Sequence, residues 1–182
     1  MMDSYSDKEL LDKFNNKESR SYAFNLLVRK YQKKLYWHIR RIIIDHDDAD
    51  DVLQNVFIKV WKGLEKFRAD SELYTWLYRI ATNESLGFLK QKRTSLFIPM
   101  IDVESQLSNS LEDDNYFSGD EIQLKLQKAI LTLPQKQRVV FNMKYFEGMK
   151  YEEMAGILDT SVGALKASYH HAVKKVEKYL AQ

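Results

Sequence analysis

The sequence predicts an all-α chain, two small helical domains joined by an acidic flexible linker. Three observations predict it. Apolar residues recur at three- and four-residue steps through most of the chain, and no segment alternates with period two. Only 6 glycines punctuate the 182 residues. Residues 94–120, "TSLFIPMIDVESQLSNSLEDDNYFSGD", carry no Lys or Arg against 6 acids, with one of the two prolines and no sustained period. A stretch of that length exceeds what a compact domain keeps as loop, and its like charges extend it. The expected boundaries are therefore 1–93, 94–120 and 121–182. The flanking segments are mildly basic, with 18 Lys+Arg against 14 Asp+Glu in the first and 10 against 6 in the last.

Each element has its own signal. "SDKELLDKF" opens with a capping-box pattern, Ser6 and Glu9, and predicts a short first helix. Phe24, Leu27, Val28, Tyr31, Leu35, Ile39 and Ile42 form one face of a long helix. Val52, Leu53, Val56, Phe57, Val60, Trp61 and Leu64 form another, and Leu73, Trp76, Leu77, Ile80 and Ala81 a third. The last 62 residues read as four shorter helices, and there is no internal repeat.

Composition narrows the function classes. With 45% hydrophobic and 30% charged residues the chain is globular. It has no cysteine, which removes disulfides and Cys-based metal sites and fits a reducing compartment. No apolar run approaches the roughly 18 residues a membrane span needs, and "MMDSYSDKELL" has no signal-peptide pattern. The expectation is a soluble cytoplasmic protein without membrane insertion. The four histidines, His38, His46, His170 and His171, offer no metal set: the adjacent pair would point about 100° apart on a helix. No cofactor, no metal and no catalytic residue are expected.

"DHDDADDVLQNVFIKVW", residues 45–61, packs five aspartates into seven positions. An EF-hand fails, because counting from Asp45 puts Ala49 at position five, Asp50 at six and Val56 at twelve. Helix capping by Asp47 or Asp48 is one reading, with acids in the first turn matching the macrodipole. It leaves Asp51, Gln54, Asn55 and Ile58 unexplained, a polar face with one apolar residue that fits a docking partner.

"YEEMAGILDTSVGALKASYHHAVKKV" has helix-turn-helix spacing. Ala155 is small where two helices cross, Asp159 tolerates left-handed φ in the turn, and Ser161 caps the second helix. Val162 and Leu165 face inward, which leaves Lys166, Ala167, His170 and His171 outside, with Lys174 and Lys175 beyond, as a recognition helix requires. Residues 66–93, "KFRADSELYTWLYRIATNESLGFLKQKR", interleave Tyr74, Trp76 and Tyr78 with Arg79, Asn83, Lys90, Lys92 and Arg93, a composition suited to single-stranded nucleic acid.

Together these stretches resemble the extracytoplasmic-function group of bacterial sigma-70 initiation factors over nearly the whole chain. "DDADDVLQNVFIKVW" resembles region 2.1–2.2, "FRADSELYTWLYRIATN" regions 2.3–2.4, and "LPQKQRVVFNMKYFEGMKYEEMAGIL" with the helix after it region 4. The resemblance implies core RNA polymerase as partner, with Asp48, Asp51, Gln54 and Asn55 on the clamp helices of its largest subunit and region 4 on the flap. It implies −10 DNA contacts by Arg68, Ser71, Tyr74, Trp76, Arg79, Asn83 and Lys90. It implies −35 contacts by Tyr151, Lys166, Ala167, His170, His171 and Lys174, and an anti-sigma factor as further partner. Lys150 stands where the family often has a capping Ser or Thr, and Lys166 and His171 where arginines are common. The rival reading is a conventional helix-turn-helix regulator with an N-terminal sensing or oligomerisation domain; the 66–93 segment discriminates, since a sensing domain needs no exposed rings beside cations.

Overall fold

Ser6 begins the fold where its pattern places a cap. Its hydroxyl accepts the Glu9 N–H, and the Glu9 carboxylate accepts the Ser6 N–H at 2.7 Å. Helix α1 (Asp7–Asn15) follows, then α2 (Arg20–Ile43), α3 (His46–Gly63), a 3-10 turn at Leu64–Lys66 and α4 (Leu73–Ser95). The second half holds α5 (Glu121–Leu131), α6 (Gln135–Tyr145), α7 (Tyr151–Leu158) and α8 (Val162–Leu180). This computed structural model describes residues 5–68, 70–95, 111 and 120–182, and among them there is no strand. The linker expected at 94–120 lies outside the described residues except for Thr94, Ser95, Leu111 and Asp120.

Helix α2 is the spine. Ala23, Leu27, Tyr31, Leu35, Ile39 and Ile42 are buried at the predicted three- and four-residue steps. Helices α1, α3 and α4 all pack on it, α3 through Ala49, Val52, Val56 and Val60. Trp61 closes the α1 end, edge-on to Phe14 and Phe24 at 5.4 and 4.9 Å between ring centroids. At the other end Ile44 stops α2 with φ 70°, a conformation costly for a β-branched residue. Its N–H donates to the Arg40 carbonyl at 2.8 Å, and its side chain is buried with Leu111 and Leu131. The chain reverses there within two residues, so α3 starts immediately.

The second half folds around Ala129, Ile130, Leu133, Phe141, Ala172 and Val176. Its inner face is not a separate core. Val139, Val140 and Met143 of α6, Met154 and Ile157 of α7 and Leu165 of α8 belong to the same buried cluster as α2, α3 and α4. Helix α7 lies on α4 and α6 on α2. Polar bonds cross this junction too: the Asn142 side-chain amide donates to the Arg41 carbonyl at 3.1 Å.

Leu35 sits at the centre of the spine with no exposed surface. Leu35→Ala should cost about 2–5 kcal/mol, the range for an unfilled core cavity, read as a lower urea midpoint at unchanged m-value.

Candidate polymerase-docking and nucleic-acid surfaces

The acidic start of α3 resolves into three roles. The cap is Asp45 rather than the expected Asp47 or Asp48: its carboxylate accepts the Asp48 N–H at 3.0 Å. The cause is upstream, since the reversal at Ile44 makes Asp45 the first residue able to cap. Asp47 and Asp48 occupy the first turn, where the macrodipole favours acids. Asp48 is half-buried and ion-paired with Lys92, tying α3 to the far end of α4. Asp51, Gln54 and Asn55 are exposed, and Ile58 beside them is 52% exposed. A large apolar side chain half open amid amides and an acid is an unusual use of surface, and Trp61, 37% exposed, extends the patch. Among the described residues no three His, Asp or Glu groups converge as a metal site.

The residues expected at −10 DNA are spread over three sides of α4 and the loop before it. Arg68 is exposed and Ser71 half-buried, both ahead of the helix. Tyr74 faces α2 and lies against Tyr78, with ring centroids 4.3 Å apart and the planes tilted by 41°. Burial pushes the Tyr74 hydroxyl up to about 12, and pushes Tyr78 further in the same direction. Trp76 turns toward the 3-10 turn, 5.1 Å from the Phe67 ring and close above Gly63, where a Cβ would meet it at 3.1 Å. Arg79 points at α7, its Nε donating to the Gly156 carbonyl at 3.1 Å and its second nitrogen to the same oxygen. Asn83 is exposed and lines, with Arg79 and Lys136, a cleft of about 720 Å³ between α4 and the second half. Lys90 is exposed two turns further on. Arg79 and Asn83 are thus brought together, whereas Tyr74 and Trp76 lie on other sides of the helix.

Sequence reasoning missed a set on α2. Arg29, Lys33, Trp37 and Arg41 follow one another at four-residue steps, with Lys30 and Lys34 alongside, and they face Tyr74 and Tyr78 across an open basin of about 550 Å³. The signal was present in "RKYQKKLYWHIRR": cations at the spacing of one helical face.

The helix-turn-helix is built as its pattern requires. The Glu153 carboxylate accepts the Lys150 N–H at 2.7 Å, so the start of α7 is held although Lys150 supplies no side-chain cap. Asp159 adopts φ 49°, ψ 53°, the left-handed turn. Ser161 Oγ accepts the Ala164 N–H at 3.2 Å and starts α8. Leu165 is buried, while Lys166, Ala167, His170, His171 and Lys174 are exposed. Tyr151 is half-buried with its ring beneath the Lys144 and Lys166 ammonium groups, 4.8 and 5.7 Å from the centroid, which places it on the edge of the same surface.

Comparison with known proteins agrees with this geometry. The family patterns for Sigma-70 region 2 and for Sigma-70, region 4 match residues 27–94 and 123–176. The chain is 32% identical to the RNA polymerase sigma-H factor of Pseudomonas aeruginosa, over 99% of this chain and 96% of that one. The chain belongs to the extracytoplasmic-function group of sigma-70 family sigma factors. It is also 30% identical to the ECF RNA polymerase sigma-E factor of Escherichia coli K12, over 97% of this chain and 95% of that one. Two solved structures share the fold: CnrH in complex with the cytosolic domain of CnrY (TM-score 0.70, 23% identity, 96% of this chain and 97% of that one), and the sigma factor RpoE of Bartonella quintana in complex with the anti-sigma factor NepR (TM-score 0.66, 19% identity, 87% and 96%). A sigma factor initiates transcription with core RNA polymerase at promoter DNA and is not itself an enzyme; the conventional regulator weighed from the sequence is not favoured. In this sigma factor the region 2 match covers α3 and most of α2 and α4, and the region 4 match covers α7 and most of α8. Among the described residues no helix is long and apolar enough to cross a membrane.

Trp76 rests on Phe67 and Gly63, which gives its ring a packing role whatever else it touches. Trp76→Ala should cost about 2 kcal/mol, below the 3–5 of a fully buried ring because it is half-exposed, whereas Lys90→Ala should change stability by less than about 0.5 kcal/mol. Thermal unfolding of the two variants separates them.

Proposed function

We propose that the exposed face of α3 docks this sigma factor on core RNA polymerase, through Asp51, Gln54, Asn55 and Ile58 on the positively charged clamp helices of the largest subunit. Asp48, held by Lys92, acts as a brace behind that face. The observation that carries the reading is Ile58: an apolar side chain 52% exposed within a polar, acidic face, where a partner would bury it. Residues 1–93 then serve docking and the −10 element, residues 121–182 serve the −35 element and the flap, and 94–120 join them. The loop ahead of α4, with Arg68 and Ser71, and the Asn83 side of the helix handle the opened −10 strand, and Tyr74 offers a ring for stacking, worth about 1–3 kcal/mol per base. A cytoplasmic location follows from the partner.

On α8 the exposed side chains divide by position. Lys166, Ala167, His170 and His171 lie toward the N-terminal half, where a recognition helix meets base edges; Lys174 lies later, where phosphates pass. Tyr151, packed under Lys166, orients that lysine. An anti-sigma factor is proposed as a regulatory partner, supported by the complex with the anti-sigma factor NepR in which one structural relative is seen.

Asp51→Ala with Gln54→Ala should leave thermal unfolding within about 0.5 kcal/mol and weaken core polymerase binding about tenfold, or about 1.4 kcal/mol. Competition for core polymerase that matches the unsubstituted protein would reject the docking face. On duplex −35 variants differing at single bases, Lys166→Ala and His171→Ala should flatten the preference by about 1–3 kcal/mol. Lys174→Ala should weaken all of them alike and lower the salt slope by about 0.9. Unchanged selectivity in both the Lys166 and His171 variants would remove base reading from those residues.

A further inference from the structure

His170 and His171 stand side by side on α8, both exposed, with ring centroids 6.1 Å apart. Neither enters an ion pair among the described residues. The other two histidines are engaged elsewhere: His38 is buried between Glu147 and Thr82, and His46 lies against Tyr36 and Asp50. An exposed imidazole pair is most often only a solvated one. This pair occupies the middle of the helix face that turns away from buried Leu165, Ala172 and Val176, the face on which Ala167 and Lys174 also lie.

The surroundings of the pair are cationic from every side. On α8 itself Lys166 lies one turn before His170, and Lys174 and Lys175 follow the pair by a turn. From α6, the Gln137 side chain accepts from the Lys175 ammonium at 3.2 Å, and Lys136 lines the cleft beside Ser168. Tyr151 opens α7 with its ring beneath Lys166 and Lys144. Helix α5 meets the far end of α8, where Lys125 donates to the Leu180 carbonyl. The acids of these elements, Glu121, Glu152, Glu153, Asp159 and Glu177, pair with neither imidazole. No carboxylate therefore holds a proton on either ring beforehand. A duplex laid on this face brings phosphates close to both rings, and nearby anions favour the charged form of an imidazole. Binding to DNA is thus coupled to proton uptake.

Charge also changes what an imidazole can read. A neutral ring carries one donor and one acceptor, so by choice of tautomer it bonds either an amine or a carbonyl; an imidazolium donates only. In the major groove guanine offers two acceptors, N7 and O6, whereas adenine and cytosine each present an amino donor. We propose that His170 and His171 make promoter selection depend on pH: as imidazolium ions they select guanine in the −35 element, and as neutral rings they accept amino-bearing bases as well. Falling pH then tightens binding and narrows the preference, and rising pH relaxes both. The inference rests on the proposal that these residues meet base edges, and it adds a regulation of the same site.

The test uses the full chain assembled with core RNA polymerase and a library of random-sequence duplexes. Bound duplexes are sequenced after selection at about pH 6 and at about pH 8, on either side of the range in which imidazoles change charge. The unsubstituted protein should enrich guanine about fivefold more at the lower pH, at the −35 positions these residues face, the lower end of what one base contact discriminates. His170→Gln with His171→Gln keeps a donor and an acceptor at each site without titration, and should erase the difference between the two selections. His171→Arg carries a permanent charge and should extend the guanine preference to the higher pH. Both sites are exposed, and circular dichroism of each variant checks the fold. Equal guanine enrichment at both pH values in the unsubstituted protein overturns the switch and leaves base reading in place. A pH-dependent preference that survives in the double Gln variant puts the proton elsewhere and overturns it as well. Failure of base reading has its own signature: the double Gln variant then selects the same −35 bases as the unsubstituted protein at both pH values, which overturns both proposals.

Discussion

Everything in this molecule hangs on a helix that must be covered along nearly its whole length. Leu27, Leu35, Ile39, Ile42 and Ile43 of α2 expose 2% or less of their surface, and no single neighbour could hide a stripe that long. Helices α1, α3 and α4 cover the near sides and α6 the remaining one. The hydrophobic demand of α2 therefore recruits elements from both ends of the chain. It also dictates which faces remain free for partners, because each covering helix spends one face on α2 and turns another outward.

The outward faces differ in chemistry, and the division of labour follows from that. Helix α3 presents an acid, amides and an isoleucine; α8 presents lysines and histidines; the far side of α2 presents arginines and lysines. Opposite charge on α3 and α8 gives the two faces of one small molecule complementary preferences for basic and for acidic surfaces. Aromatic residues do two jobs in the same frame. Phe14, Phe24 and Trp61 are mortar between α1, α2 and α3, whereas Tyr74 and Tyr78 stand at the rim of a basin.

What could be read from the sequence was whatever depends on residues a few positions apart. Ser6 with Glu9, Ser161 with Ala164 and the left-handed turn at Asp159 are three-residue decisions, and each appears as its pattern requires. The cap of α3 was harder, because five aspartates in seven positions are chemically equivalent candidates. The choice of Asp45 was made by the reversal at Ile44, a conformation that an isoleucine does not advertise. Periodicity also placed the angles of Tyr74, Trp76 and Arg79 on α4, but only the packing of neighbours decides what each angle looks onto. The bond between His38 and Glu147 spans 109 positions and has no local signature at all. It depends on α6 finding α2, which no window of the sequence contains.

Leu111 carries a last consequence. It is fully buried with Ile44 and Leu131, against the reversal that ends α2. Leu111 therefore anchors the connection between residues 95 and 120 at a point where α2 ends and α5 closes. Loop-closure entropy rises only as the logarithm of length, but any anchor within a connection raises the effective concentration of one half at the other. The two halves thus meet as parts of a clasp whose strap carries a stitch at Leu111, and release of that stitch would loosen the hold on α8 without altering any surface on it.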